Sequence, residues 1–251
     1  MVHITKPKFE ALELPLPSLD EQLAIAREIE AYRQVVVGCA TVLHNYTPSL
    51  RIDPEWPQTE LGDLAHNLDG RRIPITREAR KQGPYPYYGA SGIVDSVDDF
   101  IFDGDYLLLS EDGANLLARS SPVAFSVSGK IWVNNHAHIL EFDDPDLRQF
   151  VEHYINGIDL SQYVTGAAQP KLTQANMNRI PIPVPPSEQR RNIVARLQRE
   201  QETLAGVAEL KANFEAKITA RLDAVWGETS DTESPPLLKT TKDSQPQPVA
   251  A

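Results

Sequence analysis

The sequence has one cysteine, Cys39, and no apolar run of the about 18 residues that a membrane helix needs. A single cysteine excludes an internal disulfide framework and a zinc site built from several cysteines. The opening residues, MVHITKPKFEALEL, lack the apolar stretch and small-residue cleavage site of a secretion signal. We therefore expect a cytoplasmic protein with no membrane partner.

Familiar catalytic motifs are also missing. There is no phosphate loop, no His-Glu-x-x-His zinc motif, no Gly-x-Gly-x-x-Gly opening a helix and no Gly-x-Ser-x-Gly. The Asn/Asp-Pro-Pro-aromatic signature of base-amino methyltransferases is absent, and Pro84-Tyr85-Pro86-Tyr87-Tyr88 does not match it. We predict that the chain has no catalytic residues and is not an enzyme.

Positive charge is scarce as well. The 24 Lys and Arg residues are outnumbered by 35 Asp and Glu residues, giving a net charge of −11. Non-specific nucleic-acid binders usually carry a basic excess that neutralises phosphates. A local basic face can still bind DNA, so we expect weak binding by the isolated chain rather than none.

A first long helix is predicted from about Leu19 to Tyr46. Its apolar residues are spaced alternately by four and three positions, which is typical of a coiled-coil seam. They are Ile25, Ile29, Tyr32, Val36, Cys39, Leu43 and Tyr46. Cys39 therefore fits a small packing residue better than a reactive thiol.

A second long helix is predicted from about Ser187 to Trp226, after Pro185 and Pro186. Its seam has the same spacing, with polar residues at Glu200, Lys211 and Arg221. The apolar members are Ile193, Leu197, Leu204, Val207, Phe214, Ile218 and Val225. Two matching seams predict an antiparallel pair of helices.

An internal repeat connects the two helices. Leu14-Pro15-Leu16-Pro17-Ser18 aligns with Ile182-Pro183-Val184-Pro185-Pro186 at an offset of 168 positions, and the helices that follow keep the same offset. The alternating prolines favour an extended backbone, so each run is expected to form a stiff strut leading into its helix.

The region between the helices has a different character. Four strand-like runs (106–109, 123–127, 131–133, 138–142) alternate with turn clusters at 102–105 and 128–129, and 147–156 resembles a short helix. We predict an α+β fold: one mixed α/β domain with a twisted sheet, plus the two helices. The predicted divisions are a leader (1–18), a first spacer helix (19–47), a recognition domain (48–180), a strut and second helix (181–227) and a disordered tail (228–251).

The histidines and acids of this region are candidates for a metal site or for acid–base chemistry. His136 and His138 stand two apart, but the sequence fixes no acidic or histidine third ligand near them, so we predict no metal site. Glu111 and Asp112 could form an acid–base pair, yet the following Gly113 is more typical of a turn.

Four segments are rich in planar polar side chains: 87–92, 111–115, 133–136 and 166–176. Amide, aromatic and basic groups of this kind read base edges and bind phosphates. The candidate DNA-binding residues are Arg71, Arg72, Tyr87, Tyr88, Ser91, Asn115, Arg119, Lys130, Asn134, Asn135, His136, Gln169, Lys171, Thr173, Gln174 and Asn176. For any one asparagine, capping a turn is an equally good explanation.

Several stretches resemble the target-recognition domain of type I restriction–modification specificity subunits. They are PYYGASGIV (86–94), FDGDYLLL (102–109), EDGANL (111–116), SGKIWVNNHAH (128–138) and QPKLTQAN (169–176). IPIPVPPSEQ (180–189), followed by a long helix, is similar to that family's conserved spacer. The resemblance covers about residues 10–226.

The resemblance implies two recognition domains held apart by two antiparallel helices, each reading half of a split DNA target. It implies DNA adenine methyltransferase and restriction translocase subunits as partners, with S-adenosylmethionine, ATP and magnesium on those partners and no cofactor here. This sequence has one such domain, so we expect a half-subunit that could pair with another half, or with a second copy, through the seams.

Two alternatives remain open. One is a coiled-coil interaction module, or a non-functional truncated half, that binds methyltransferase partners without reading DNA. The other is an adenine methyltransferase fragment, which the missing catalytic signature disfavours. A gel shift with and without a co-expressed methyltransferase separates a DNA binder from a scaffold.

Overall fold

The computed structural model describes residues 5–7, 16–166 and 168–226, and these divide between two compact units. The helical unit comprises Met1–Tyr46 and Ala205–Ala251, and the sheet unit comprises Thr47–Leu204. The predicted disordered tail lies outside the described residues, as does most of the predicted leader. The finer division into leader, spacers and recognition domain stays a prediction.

The helical unit contains α1 (Leu19–Asn45) and the second part of a long helix, Ser187–Trp226, that also enters the sheet unit. Ser18 and Glu21 form a capping box at the start of α1: the Ser18 hydroxyl accepts from the Glu21 amide, and the Glu21 carboxylate accepts from Ser18 N–H at 2.9 Å. The box satisfies amides that the first turn leaves unpaired.

The two helices of this unit are antiparallel. Glu28 pairs with Arg221 at 2.9 Å, and one turn further along α1 the ring of Tyr32 meets Phe214 edge-on at 5.4 Å. The predicted seam is confirmed, since Cys39 is buried and the other positions from Ile25 to Leu43 are half-buried, although Tyr46 is exposed. No helix in the described part of the chain is long and apolar enough to cross a membrane.

The sheet unit is built on a six-stranded main sheet, with two short strand pairs and small helices around it. Its strands are β1 (Gln58–Glu60), β2 (His66–Asn67), β3 (Tyr85–Gly89), β4 (Gly92–Val97), β5 (Phe102–Ser110), β6 (Ala124–Val133), β7 (Ala137–Glu141), β8 (Val164–Thr165), β9 (Lys171–Leu172) and β10 (Pro181–Pro183). Its helices are α2 (Leu61–Leu64), α3 (Asn115–Ala118), α4 (Pro145–Gly157), α5 (Gln174–Asn178) and the start of α6 (Ser187–Trp226). Three short 3₁₀ turns occupy Asp69–Arg71, Arg77–Ala79 and Ser161–Tyr163.

The main sheet has the strand order β2-β7-β5-β6-β3-β4, with β3 and β6 parallel and the other neighbours antiparallel. The central strand β5 is buried on both faces. Leu107 and Leu109 contribute to one core cluster, whereas Tyr106 and Leu108 contribute to another. Because successive side chains of a strand point to opposite faces, the apolar run Tyr106–Leu109 supplies both cores.

Two predicted turns are wrong. The segments 102–105 and 128–129 lie inside β5 and β6, where Gly104 pairs with Gly129 in a continuous ladder. Gly129 has a φ of 81°, a left-handed conformation that glycine adopts without a side-chain clash. The glycines therefore bend paired strands here instead of ending them.

The helix predicted at 147–156 is confirmed within α4. Asp144 caps its start by accepting from the amides of Asp146 and Leu147, and Pro145 occupies the first turn, where its missing N–H costs nothing. Near the end of α4, the side-chain Oδ1 of Asn156 accepts from the backbone N–H groups of Val123 and Ala124 at the start of β6.

The second proline strut is part of the sheet unit. β10 pairs with β1 in antiparallel register, and Val184 N–H extends the ladder to the Pro57 carbonyl at 2.8 Å. Both copies of the repeat bond their strut from the helix that follows it. The side-chain amide of Gln22 donates to Pro17 O at 2.8 Å, and the guanidinium of Arg190, at the equivalent position of the repeat, donates to Pro185 O at 2.9 Å.

Candidate nucleic-acid interface

Hydrogen bonds to backbone carbonyls join the polar segments that are separated in sequence. The Ser110 hydroxyl, at the end of β5, donates to the Ala90 carbonyl in the β3–β4 turn at 2.5 Å. Asn134 N–H, after β6, donates to the Tyr88 carbonyl of β3 at 3.0 Å. The β3–β4 turn therefore lies against both of the loops that follow the central strands.

The segment around β9 completes this arrangement. Glu111 N–H donates to His136 O at 2.9 Å, Leu172 N–H donates to Glu111 O at 2.8 Å, and Gly113 N–H donates to Pro170 O at 3.0 Å. We call the segments 88–91, 110–115, 133–138 and 169–174 the polar loop cluster. All four predicted recognition loops contribute to it.

Five ionisable side chains form an ion network that joins the polar loop cluster to the residues next to it: Asp69, Arg72, Glu111, His138 and Lys171. The Glu111 carboxylate accepts from Arg72 at 2.7 Å and from Lys171 at 2.9 Å. The Asp69 carboxylate accepts from His138 Nδ1 at 2.6 Å. Four of the five side chains are at most 12% exposed, and Lys171 alone reaches solvent. The network therefore places ion pairs in a largely dry environment.

The network shifts the ionisation of its acids toward the charged form. Burial alone would raise the pKa of Glu111, but hydrogen bonds from Arg72 and Lys171 outweigh it and lower that pKa below its usual value. The pKa of Asp69 is likewise lowered: burial alone would raise it, but the interactions with His138, the Ile139 amide and Arg72 together outweigh burial. The Glu111 carboxylate in turn raises the pKa of Lys171.

The geometry of this network bears on the metal question. Ligand atoms of Asp69, Glu111 and His138 lie within 4.8 Å of one another, so the expectation that no acidic group is fixed near His138 is wrong. Each carboxylate nevertheless faces a cationic partner already. Both ring nitrogens of His138 are also occupied: Nδ1 lies 2.6 Å from the Asp69 carboxylate and Nε2 lies 2.8 Å from Leu172 O. The donor set thus fits an internal ion network better than a cation site.

The structure places half of the predicted DNA-binding residues with exposed side chains. In the polar loop cluster these are Ser91, Asn135, His136, Gln169, Lys171 and Gln174. The other two, Arg71 and Lys130, stand over aromatic rings, with Arg71 5.1 Å from Phe102 and Lys130 4.6 Å from Phe100. These side chains are accessible to a ligand as the protein stands.

The other predicted residues are wholly or partly buried and are mostly bonded inside the protein. Tyr87 and Tyr88 lie in β3 rather than in a loop; Tyr87 is 1% exposed, and Ile75 N–H donates to its hydroxyl. Asn134 is also buried, and its side chain accepts from the His136 amide at 2.8 Å. These groups shape the polar loop cluster, and a direct DNA contact by them stays a prediction.

A further group of predicted residues supports turns and helix ends. Asn115 bonds to Ser120 and Ser121, Thr173 caps α5, and Asn176 donates to the Tyr163 carbonyl at 2.8 Å. Arg119 donates to the Ile155 carbonyl, and its burial lowers its pKa. The alternative explanation for the asparagines, turn capping, therefore fits Asn115.

Sequence reasoning missed the part played by Asp69, Glu111 and His138. Nothing in the sequence marks Asp69, Gly113 favours a turn at Glu111, and the spacing of His136 and His138 predicts only that they form no metal site. Their partners lie 39 to 69 positions away in the chain, as the pairs Arg72–Glu111 and Asp69–His138 show. The available signal was several charged residues in a segment otherwise expected to be a buried strand end.

The chain matches the family described as "Type I restriction modification DNA specificity domain" over residues 54–215, more than half of its length. A curated relative from Haemophilus influenzae, named a putative type I restriction enzyme specificity subunit, is 34% identical over 140 residues. That match covers 56% of this chain and 35% of the relative, so this chain spans only part of the relative's length.

Two solved structures share the fold. One, from work titled "Structural basis underlying complex assembly and conformational transition of the type I R-M system", has a TM-score of 0.54 at 18% identity, covering 84% of this chain and 60% of the other. The second, the S subunit of a type I restriction–modification system from M. genitalium, has a TM-score of 0.52 at 15% identity and covers 84% and 58%. Together with the family match, the α+β fold is confirmed. The chain belongs to the type I restriction–modification DNA specificity domain family.

Proposed function

We propose that this chain recognises a specific DNA sequence and directs the methyltransferase and restriction subunits of a type I system to it. The family match over residues 54–215, which covers most of the sheet unit, is the observation that carries the proposal. The polar loop cluster lies within that range and contains exposed polar side chains from four segments of the unit.

The polar loop cluster has the chemistry that DNA reading requires. Asn135, Gln169 and Gln174 are exposed amides, and amides can bond an adenine edge with two hydrogen bonds. Lys171 within the cluster, and Arg71 and Lys130 outside it, are exposed cations available to phosphates, which position a protein on a duplex. We assign base reading to the amides and positioning to the cations.

The catalytic steps belong to partners in this proposal. The chain is the specificity component, and DNA adenine methyltransferase and translocase subunits bring S-adenosylmethionine, ATP and magnesium. The net charge of −11 supports a shared interface, because a partner that supplies phosphate contacts would compensate for weak attraction by this chain.

The helical unit provides a surface for pairing with a second half-subunit or a second copy. Its seam residues already pack between its own two helices, as Tyr32 and Phe214 do, so the proposed pairing surface consists of apolar residues outside the seam. They are Val37, Val42, Leu210 and Leu222, which are 39–64% exposed. Two-fold pairing through such a surface would present two recognition domains to a palindromic split target. Sedimentation that shows a monomer at micromolar concentration, with or without a methyltransferase subunit, would remove this part of the proposal.

The test of DNA recognition is selection from a pool of duplexes with a randomised centre. We would use the full chain, alone and co-purified with a type I methyltransferase subunit, and sequence the retained duplexes. Enrichment of one sequence, followed by a footprint on it at moderate salt, is the expected result. Retention without enrichment, or no retention by either preparation, would leave the coiled-coil module as the better explanation.

A further inference from the structure

The segment around β9 carries exposed polar residues on both sides of one buried residue, Leu172. Gln169 and Lys171 precede it and Gln174 follows it, and all three are exposed. The Leu172 side chain itself is fully buried in the main core cluster. Whatever fixes Leu172 therefore fixes the positions from which its three polar neighbours reach outward.

Both backbone groups of Leu172 have partners outside the short β8–β9 pairing. Its N–H donates to the Glu111 carbonyl at 2.8 Å, and its carbonyl accepts from His138 Nε2, also at 2.8 Å. The partners come from the end of β5 and from β7, two strands paired in the main sheet. Leu172 is thus held from both sides by the rigid part of the unit.

His138 is itself held by Asp69. Its Nδ1 donates to the Asp69 carboxylate at 2.6 Å, and the second carboxylate oxygen accepts from the neighbouring Ile139 amide at 3.0 Å. A carboxylate that bonds one ring nitrogen fixes the ring plane and directs the other nitrogen at its target. His138 is 1% exposed, so the ring has little freedom to turn away from Leu172.

Glu111 holds the same segment a second time through its side chain. Its carboxylate accepts from Lys171 at 2.9 Å and from Arg72 at 2.7 Å, and Arg72 also donates to the Ala137 carbonyl. Residue 171 is therefore tied by its side chain and residue 172 by its backbone. Two contacts at adjacent residues restrain direction as well as position.

We propose that Asp69 and His138, acting through the Leu172 carbonyl, are positioning residues that preorganise Gln169, Lys171 and Gln174 for DNA recognition. The inference rests on the proposed function and assigns these two buried residues no contact with DNA. Ordering a loop before binding removes an entropy cost that would otherwise be subtracted from affinity. The consequence is greatest for specific DNA, since only specific binding needs the side chains in fixed places.

The test compares His138→Leu with His138→Gln in the full chain. Leucine removes both donors, whereas glutamine keeps an N–H that can reach the Leu172 carbonyl. The matched control is His153→Leu, which removes a half-buried histidine of α4 that contacts neither Leu172 nor Asp69. Thermal melts first establish that each variant is folded.

Two readouts are taken for each variant. One is hydrogen exchange of the peptide covering 166–176, which needs no DNA. The other is the ratio of binding to the selected duplex over binding to a scrambled duplex of equal length. We expect His138→Leu to speed exchange in that peptide and to lower the ratio about tenfold or more. His138→Gln and His153→Leu should retain most of the ratio.

Several outcomes overturn the proposal. They are a folded His138→Leu variant with unchanged exchange or unchanged ratio, and a His138→Gln variant that loses the ratio as fully as leucine does. If His138→Leu does not fold, hydrogen exchange in the unsubstituted protein decides. The Leu172 amide should exchange as slowly as the amides of β5. Fast exchange would show that Leu172 is not held in place and would overturn the proposal. If the unsubstituted chain selects no sequence, the proposed function fails and hydrogen exchange still judges separately whether Leu172 is held in place.

Discussion

Arg190, in the first turn of α6, donates to the Asp144 carboxylate that caps α4, and it also bonds the Pro185 carbonyl of the strut. One guanidinium thus connects the second long helix, the strut before it and the helix of the sheet unit. Arg190 is buried, with its residue 6% exposed, whereas the Asp144 side chain is 38% exposed. The pair therefore lies at the border between core and solvent.

We expect Arg190→Met to destabilise the sheet unit by about 1–3 kcal/mol, since it removes charged hydrogen bonds from a partly solvated pair. Urea unfolding followed by Trp56 fluorescence measures this, because the Trp56 ring packs on Phe150 of α4 at 6.0 Å. Arg191→Met is the matched control, as Arg191 is 71% exposed and should change stability by under about 0.5 kcal/mol. Equal effects of the two substitutions would contradict the assigned role of Arg190.

Acid should weaken the sheet unit through Asp69, Glu111 and Asp144. Burial alone would raise the pKa of each, but bonds to His138, Arg72 with Lys171, and Arg190 lower all three pKa values in the folded state. A lowered folded pKa stabilises the fold above the unfolded pKa of about 4, and this stabilisation is lost as pH falls through the folded pKa. Urea midpoints measured from about pH 7 to about pH 3 should fall steeply in the acid range.

The matched variant for the acid experiment is Asp69→Asn, which cannot titrate. Its stability should be lower at neutral pH and should fall less between neutral and acid conditions than that of the unsubstituted chain. Parallel curves for the two proteins would show that Asp69 does not contribute to the acid transition.

Gln169→Ala should weaken discrimination between the selected duplex and its single-base variants, by about 1–3 kcal/mol at one base pair if the amide makes a bidentate contact. Competition gel shifts with each variant duplex measure this. Asn115→Ala is the control, because the described hydrogen bonds of the Asn115 side chain go to Ser120 and Ser121, so that its loss should affect stability alone. Loss of discrimination by Asn115→Ala but not by Gln169→Ala would reverse the assignment.

Lys130→Gln should reduce the slope of log affinity against log salt by about one, as expected when one phosphate contact is removed. Its effect should be similar for specific and scrambled DNA. Lys217→Gln is a matched control in the helical unit, since Lys217 stands 4.5 Å from the Phe214 ring much as Lys130 stands over Phe100. An unchanged slope for Lys130→Gln would exclude a phosphate contact at this position.

The sequence predicts the two long helices well because their apolar residues recur at a regular spacing. The seam residues from Ile25 to Leu43 and from Leu204 to Val225 repeat every three or four residues, and the structure covers these positions while leaving most of the residues between them exposed. The strands were harder. Gly104 and Gly129 predict turns because glycine is common in turns, but in the structure the two residues face each other within the continuous β5–β6 ladder. A single sequence does not show which distant residue faces a glycine.

The sequence predicts four polar segments, which the structure brings together, but it does not predict the contacts among them. The four polar segments converge as their composition indicated, yet composition does not separate exposed Gln169 from Asn134, which is buried and bonded to the His136 amide. The contact between Asp69 and His138 joins residues 69 positions apart, and only the folded sheet brings them together. Burial and long-range pairing are set by tertiary packing, which residue type alone leaves open.

The alternation of β5 has a consequence for how such a protein can change. Inserting one residue into this strand would send Leu107 and Leu108 to each other's side and disrupt both cores at once. The stretch from Gln169 to Gln174 carries just one such obligation, at Leu172. Substitutions around that fixed point can therefore alter what the surface binds while the scaffold beneath keeps its register.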